Sequence, residues 1–525
     1  MVILHNGVIR TLNALQPTVE ALAIQGECIL AAGENDDILN MAAPDTQVID
    51  LYGQTVLPGF TDSHIHLLQY GSKLSQIDCE TSSKSECLAR VAAKVKDTAP
   101  GTWITGQGWN HNVWQEGIGQ KQELDHISTV HPIYLAAKSL HASWCNSAAL
   151  QFAGIDHNTP DPPGGVIVKD SSGEPNGILL ESASRLVEKC IPPLEAAQKK
   201  EFLLLAQQQL LRYGITSVHD VDDWEIYALL QELRQPWHIR VTKSLHHCDL
   251  DAVRRDGLRS GAGDDHLNVG WLKLFMDGAL GPQTAAMLSP YEDSSTHYGL
   301  LTLSAEELLE IGKEAISNGI SLEIHAIGDK AIHIALDGIE ELTSLKNTLA
   351  LPHRIEHVQI IDPQDIPRMA RLKVVASMQP IHVISDMDTA DKYWGERCAF
   401  SYAWNSIDQA GIALIFGSDA PVETPNPFPA MQAALTRQKS PTSPPWYPQQ
   451  VLSLAKVLAA YINHPPAMIG KQDRLGRLQP GFLADLVVLS DDPFKIDPYE
   501  VGEISPLATM IAGEFSWMDD RFPTP

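Results

Sequence analysis

The chain has 525 residues, 44% of them hydrophobic and 20% charged, enough to bury a sizeable core and too apolar for a disordered protein. Its 65 acidic against 38 basic side chains leave a formal charge of −27, which repels phosphate backbones and anionic lipid; nucleic-acid and membrane partners are therefore not expected, and solubility accounts for the surplus. Seven cysteines, an odd count without Cys-x-x-Cys spacing, suggest neither a disulfide framework nor a zinc ribbon. With no basic leader over residues 1–10 and no apolar run near bilayer length, the chain reads as cytoplasmic, with a homo-oligomer left open.

Residues 1 to about 54 read as short strands broken by turn chemistry, at Asn6-Gly7 and between Ala21–Ile24 and Cys28–Ala32. The C-terminal stretch has the same character, with a strand over Ala484–Leu489 and another around Ala508–Ile511. Both ends are expected to pair into one small β-sandwich built from 1–54 and 470–525. Between them, over 55–469, strand-like apolar runs alternate with helix-length amphipathic segments such as Ala305–Asn318 and Lys330–Leu342, the pattern of a parallel sheet wrapped by helices. Eight strands are expected, near 55–61, 214–220, 237–245, 269–276, 320–326, 354–358, 373–378 and 412–418, which implies an α/β fold of the (β/α)8 TIM-barrel type with functional residues at the strand C-termini. The long gap between the first two strands exceeds any simple connection and predicts an insertion over about 78–210. Within it the sequence predicts a helix around Glu86–Lys96, a strand into a glycine turn over Trp103–Trp109, a helix over Trp144–Phe152 and a hairpin from Gly164 to Leu180.

The run Thr55-Val56-Leu57-Pro58-Gly59-Phe60-Thr61-Asp62-Ser63-His64-Ile65-His66 ends in two histidines spaced two apart. Side chains alternate along a strand, so His64 and His66 face one side, where two imidazoles form half of a first-row metal site. An isolated His-x-His pair is more often a pair of satisfied histidines; here four further strand-like runs end in Lys273, His325, His357 and Asp419, the order in which a barrel would supply ligands to one rim. Lys273 is peculiar among them, because an ammonium beside divalent cations is disfavoured by desolvation and by like charge. Carboxylation by carbon dioxide would turn it into an anion with two oxygens able to bridge metals. The alternative is an ordinary lysine paired with Asp277, which leaves a mononuclear or differently bridged site.

The chain resembles the amidohydrolase superfamily, and within it the N-substituted formamide deformylase-like branch. The resemblance is carried by Pro58-Gly59-Phe60-Thr61-Asp62-Ser63-His64-Ile65-His66, Gly106-Gln107-Gly108-Trp109, Leu272-Lys273-Leu274-Phe275-Met276-Asp277-Gly278, His325-Ala326-Ile327-Gly328-Asp329, His353-Arg354-Ile355-Glu356-His357 and Gly417-Ser418-Asp419-Ala420-Pro421-Val422, with further matches over 141–150 and 480–486. It implies one or two divalent ions, zinc first, with His64, His66 and Asp419 on one metal, His325 and His357 on the other, and carboxylated Lys273 with a hydroxide bridging them.

Such a centre lowers the pKa of a shared water and polarises a carbonyl, and Asp419 would carry a proton from the nucleophile to the departing nitrogen. The expected reaction is hydrolysis of a non-peptide C–N bond, of amide or formamide type, in a small molecule. His219, His246 or His247, and His382 follow strands of the same rim and are candidates for substrate binding, as are Trp109, His111 and His141 of the insertion; for each, a structural role competes. Two rivals stand beside this reading: a heterocycle deaminase, and a catalytically silent barrel acting as scaffold or regulator.

Overall fold

The computed structural model describes residues 1–111, 114–138, 142–163, 165–233, 237–345 and 349–523. The chain divides into two units, one formed by residues 1–70 with 203–525 and the other by residues 71–202.

The first unit contains an eight-stranded parallel sheet: β1 (Phe60–Ile65), β2 (Ile215–Asp220), β3 (Arg240–Leu245), β4 (Leu267–Phe275), β5 (Leu322–Ala326), β6 (Arg354–His357), β7 (Val375–Met378) and β8 (Leu414–Phe416). Each strand pairs with the next in sequence. The ring closes through a parallel bridge between Ile65 and Ala420, where Asp419 N–H donates to the His64 carbonyl at 2.8 Å and His66 N–H to the Ala420 carbonyl at 2.9 Å. This is a (β/α)8 barrel, and strands two to eight fall where the apolar runs predicted them. The helices follow their local chemistry. Ser304 caps Ala305–Ser317 by accepting the Glu307 N–H at 3.2 Å while Glu307 accepts the Ser304 N–H at 2.9 Å, and Leu308, Ala315 and Ile316 face the core.

The first strand differs from expectation. Thr55–Pro58 belongs to a second sheet, paired with Val8–Arg10 on one side and with Leu486–Leu489 on the other, and the barrel strand starts only at Phe60. Gly59 is the joint. A Cβ there would sit 2.2 Å from the Thr216 hydroxyl oxygen, so only glycine lets the chain pass from one sheet into the next. A four-stranded sheet from the N-terminal end and a six-stranded sheet combining both chain ends enclose a shared core of Leu4, Ile9, Leu22, Val56, Leu486 and Met510. Arg240 at the start of β3 ties this layer to the barrel, its Nε 2.6 Å and its second amino nitrogen 2.9 Å from the two carboxylate oxygens of Asp485.

The second unit, residues 71–202, is built on a six-stranded sheet. The helix expected over Trp144–Phe152 starts at Ser147 instead, because the Asn146 side chain caps it by accepting the Ala149 N–H at 3.0 Å; Ala142–Cys145 is a strand. The hairpin is present as Gly165–Lys169 and Pro175–Glu181. Among the described residues no helix is long and apolar enough to cross a membrane.

One half-buried histidine, just before β6, sets a pH limit on stability. His353 Nδ1 accepts the Leu322 N–H at 3.0 Å, and burial lowers its pKa from 6.5 to about 4. A group with a depressed folded pKa contributes stability that is complete above its unfolded pKa, near 6.5, and disappears as pH falls toward 4. Unfolding free energy is expected to drop by roughly 1–3 kcal/mol across that window on account of this residue. In His353→Asn the acid limb of a stability-against-pH curve, measured by urea unfolding, should be correspondingly flatter; an unchanged limb would count against this assignment.

Candidate metal centre

The C-terminal ends of β1, β4, β5, β6 and β8 deliver His64, His66, Lys273, His325, His357 and Asp419 to one cavity of about 330 Å³ within the first unit. The Asp419 Oδ1 lies 3.5 Å from both His64 Nε2 and His66 Nε2. The imidazole centroids of His64 and His357 are 5.0 Å apart and those of His325 and His357 are 4.6 Å apart. Gly417 makes this approach feasible: a Cβ there would meet the His64 nitrogen at 2.4 Å. Asp62 fastens the same corner, accepting from Ser418 Oγ at 2.6 Å and Ser418 N–H at 2.9 Å, and burial raises its pKa to about 7.

The hydrogen bonds of the four imidazoles define which nitrogen each offers. His64 Nδ1 donates to Glu356, His66 Nδ1 to Asp222 at 3.1 Å, His357 Nδ1 to Gln379 Oε1 at 2.8 Å, and His325 Nε2 to the Gly278 carbonyl at 3.0 Å. In each case the partner is an oxygen acceptor, so the bonded nitrogen carries the hydrogen and the opposite nitrogen of the neutral ring keeps a lone pair. That is the arrangement of metal-ligating histidines, whose second nitrogen is fixed by an outer oxygen. Burial, reinforced by the nearby Lys273 charge, holds His64 well below its ordinary pKa and His325 down to about 4, keeping both neutral. His66 goes the other way. Burial opposes its charge, yet Asp222 and Asp419 raise its pKa to about 9, so a cation bound there would displace a proton.

Lys273 is 3% exposed, and among the described residues its Nζ has no hydrogen-bond partner; Glu323 Oε1 lies 3.9 Å away. The pairing with Asp277 that sequence left open does not occur: Asp277 accepts N–H groups of Ala286, Ile327 and Gly328 at 2.9, 3.0 and 2.8 Å. A buried amine without a hydrogen-bond partner, facing four imidazoles and a carboxylate, fits a site completed by cations once its positive charge is removed, as carboxylation would do.

The sequence of residues 47–516 matches the amidohydrolase family. The chain belongs to that family. It is 32% identical to the putative amidohydrolase YtcJ of Bacillus subtilis over 97% of this chain and 98% of that protein, and 28% identical to the N-substituted formamide deformylase of Arthrobacter pascens over 97% and 96%. An uncharacterized metal-dependent hydrolase from Pyrococcus furiosus superposes with a TM-score of 0.77 at 29% identity, covering 94% of this chain and all of that one.

In this amidohydrolase not every residue singled out for substrate contact reaches the cavity. His382 lines it. His219 does not: it is fully buried lower in the barrel, its Nδ1 accepting from Arg354 at 3.0 Å. His246 Nε2 is bound to the Val221 carbonyl at 3.1 Å, and exposed His247 pairs with Glu314 at 3.4 Å. Trp109 is 1% exposed within the core of the second unit, where its indole N–H donates to the Leu135 carbonyl at 2.8 Å, so it packs instead of presenting a face to ligand. His111 is an exposed residue of the same unit, its ring 6.0 Å from that of Trp109, and His141 lies outside the described residues. Missed by sequence reasoning were the outer residues Asp222, Glu356 and Gln379: Asp222 and Gln379 stand two and one residues beyond strand ends, and Glu356 lies within β6 directly before His357.

Beneath the centre, Arg354 is fully buried among acids. Its second amino nitrogen donates to Glu356 at 2.8 Å, to the Ser63 carbonyl at 2.6 Å and to Ser377 Oγ at 2.9 Å, and lies 3.6 Å from Glu323 Oε1. Burial works against the guanidinium charge, but Glu323 and Glu356 hold its pKa above the ordinary value. Its carbon sits 4.7 Å over the Trp271 ring.

Proposed function

We propose that the protein is a metal-dependent hydrolase cleaving a non-peptide C–N bond of a small amide, of which a formamide-type substrate is the first choice. The observation that carries this reading is the set of four imidazoles, each with one nitrogen tied to an outer oxygen, around the Asp419 carboxylate and a buried Lys273 amine that has no hydrogen-bond partner among the described residues. His64, His66 and Asp419 would hold one divalent ion and His325 and His357 a second, with Lys273 as a carbamate between them; zinc suits these imidazole and carboxylate donors. When bound, such ions make water nucleophilic at neutral pH and polarise a carbonyl.

The protein's own residues do the rest. Burial opposes ionisation of Asp419, but the hydrogen bond from His66, with the neighbouring His64 and His357 rings, keeps its pKa well below the ordinary carboxylate value, so it enters the reaction as an acceptor. It takes the proton released by the attacking water and delivers it to the amide nitrogen, which otherwise leaves as a poor, strongly basic group. Glu356, Asp222, Gln379 and the Gly278 carbonyl keep the imidazoles oriented throughout.

The test is a screen of N-formyl and N-acyl amines, cyclic amides and nucleobases with zinc-loaded and chelator-stripped protein, detecting amine and ammonia separately. Amine release that depends on metal is the expected result. Ammonia from heterocycles alone would replace the reading with deamination, and a fully metallated but inert protein would leave the scaffold reading standing.

A further inference from the structure

Besides the metal-holding residues, two carboxylates line the cavity: Asp386, in the helix His382–Trp394 that follows β7, and Glu423, in the loop after β8. Both are half-buried, and among the described residues no lysine or arginine pairs with either. Hydroxyls hold them instead. The Tyr402 hydroxyl donates to Asp386 Oδ2, and Ser385 Oγ donates to Glu423 Oε1 at 2.9 Å. Tyr402 is itself fixed, fully buried, with its N–H donating to the Gln359 carbonyl at 2.8 Å and its own carbonyl accepting from Arg437 at 2.9 Å. A hydroxyl supplies a hydrogen bond but no charge, so both anions lack a counter-charge of their own.

The positive groups of the lining belong to the metal-holding set. On the hydrolase reading Lys273 is a carbamate in the loaded centre, and His66 yields its proton to the incoming cation. The charge of the ions is then met by Asp419 and the carbamate, which leaves Asp386 and Glu423 to whatever enters the cavity.

Buried polar atoms without partners show that the lining is built for a ligand. His382 Nε2 and Gln359 Oε1 have no hydrogen-bond partner among the described residues, and both side chains line the cavity from residues that are 6% and 5% exposed. Leaving a buried polar atom unpaired is costly, so each is a place where a ligand atom is favoured. His382 stands within electrostatic reach of both Asp419 and Asp386. A ligand touching it therefore extends from the metal-holding residues toward the two acids. Leu280 and Val422, the latter directly before Glu423, add apolar surface to the same cavity.

Resting on the hydrolase reading above, we propose that Asp386 and Glu423 form a specificity subsite for an ammonium group, and that the substrate is a small amide whose nitrogen carries a chain ending in a protonated primary amine. The three N–H donors of the ammonium are shared between the two carboxylates, which the Tyr402 and Ser385 hydroxyls keep in place. The methylenes lie along Leu280 and Val422, and the amide reaches the metal-holding residues past His382. Burial raises the pKa of Asp386 against the pull of the Tyr402 hydrogen bond; an ammonium beside it favours the charged form.

The probes are the formamides and acetamides of 1,4-diaminobutane, acylated on one nitrogen, of pentylamine and of 5-aminopentanoate, which share one methylene chain and end in a cation, a methyl group and an anion. Turnover is measured with the zinc-loaded enzyme. Binding to the same enzyme is measured by calorimetry with the methanesulfonamides of the three amines, which are not hydrolysed. The cationic probe should surpass the methyl-ended one by about 10-fold or more in kcat/KM, mainly through KM, and in Kd, with the anion weakest. In Asp386→Asn combined with Glu423→Gln, which keeps both hydroxyl contacts, that ratio should fall to within about twofold of one. Glu423→Asp should preserve the preference, and Glu423→Lys should turn it toward the anion. Equal handling of cationic and methyl-ended probes, a preference for the anion, a cation preference that survives loss of both carboxylates, or no binding of any probe would each overturn the proposal. Cation-selective binding without turnover of any amide would sink the hydrolase reading and leave this one in place; turnover without charge selectivity would do the reverse.

Discussion

Asp419→Asn is expected to lower kcat for any amide substrate by about 10³-fold or more while the protein stays folded. Asparagine preserves the size of the side chain but accepts no proton, so the nitrogen of the substrate departs without one. It also removes the charge that lies 3.5 Å from the Nε2 atoms of His64 and His66, and with it part of the electrostatic hold on a cation. Metal content by plasma emission spectroscopy separates the two effects. A variant that retains its metal and loses turnover assigns the loss to proton transfer; one that loses both assigns it to ligation. Retention of more than a tenth of wild-type kcat would contradict the role given to this carboxylate.

The second large effect concerns Arg354. It is fully buried against Glu356 and Glu323, and Glu356 in turn holds His64 Nδ1. Removing one partner of a buried ionic network leaves the others charged and unpaired, and Arg354→Met is expected to cost about 3–5 kcal/mol in urea unfolding. The same substitution releases the acid that orients His64, so zinc affinity should fall by about 10- to 100-fold. Adding Glu356→Gln to Arg354→Met should recover part of the stability but not the affinity, since the glutamine no longer carries the charge that oriented His64. A cost below about 1 kcal/mol for the single variant would show that the network is solvated or dispensable.

Much of this could be read before any coordinates. Strands ending in Asp220, Phe275, Ala326, His357, Met378 and Phe416 announce themselves as short apolar runs because a parallel barrel buries both faces of each strand. The metal-holding residues are legible for a related reason: ligation demands particular side chains at strand ends, and His64-Ile65-His66 satisfies it locally. Thr55–Phe60 misled because apolar character alone cannot tell two consecutive buried strands from one; the break rests on Gly59 meeting Thr216, a contact between residues far apart in sequence. His219 misled in the same way. Its position after an apolar run matches a rim residue, yet Arg354 draws it into the barrel interior.

The sandwich made from both chain ends has a consequence for synthesis. Thr55–Pro58 lies between Val8–Arg10, which emerges from the ribosome just before it, and Leu486–Leu489, which emerges more than four hundred residues later. Until that last partner arrives, one edge of an apolar strand stands unprotected throughout translation of the barrel, open to pairing with other nascent chains. Expression yield should therefore respond to translation rate and to chaperones that shield strand edges, more than the stability of the finished molecule would suggest.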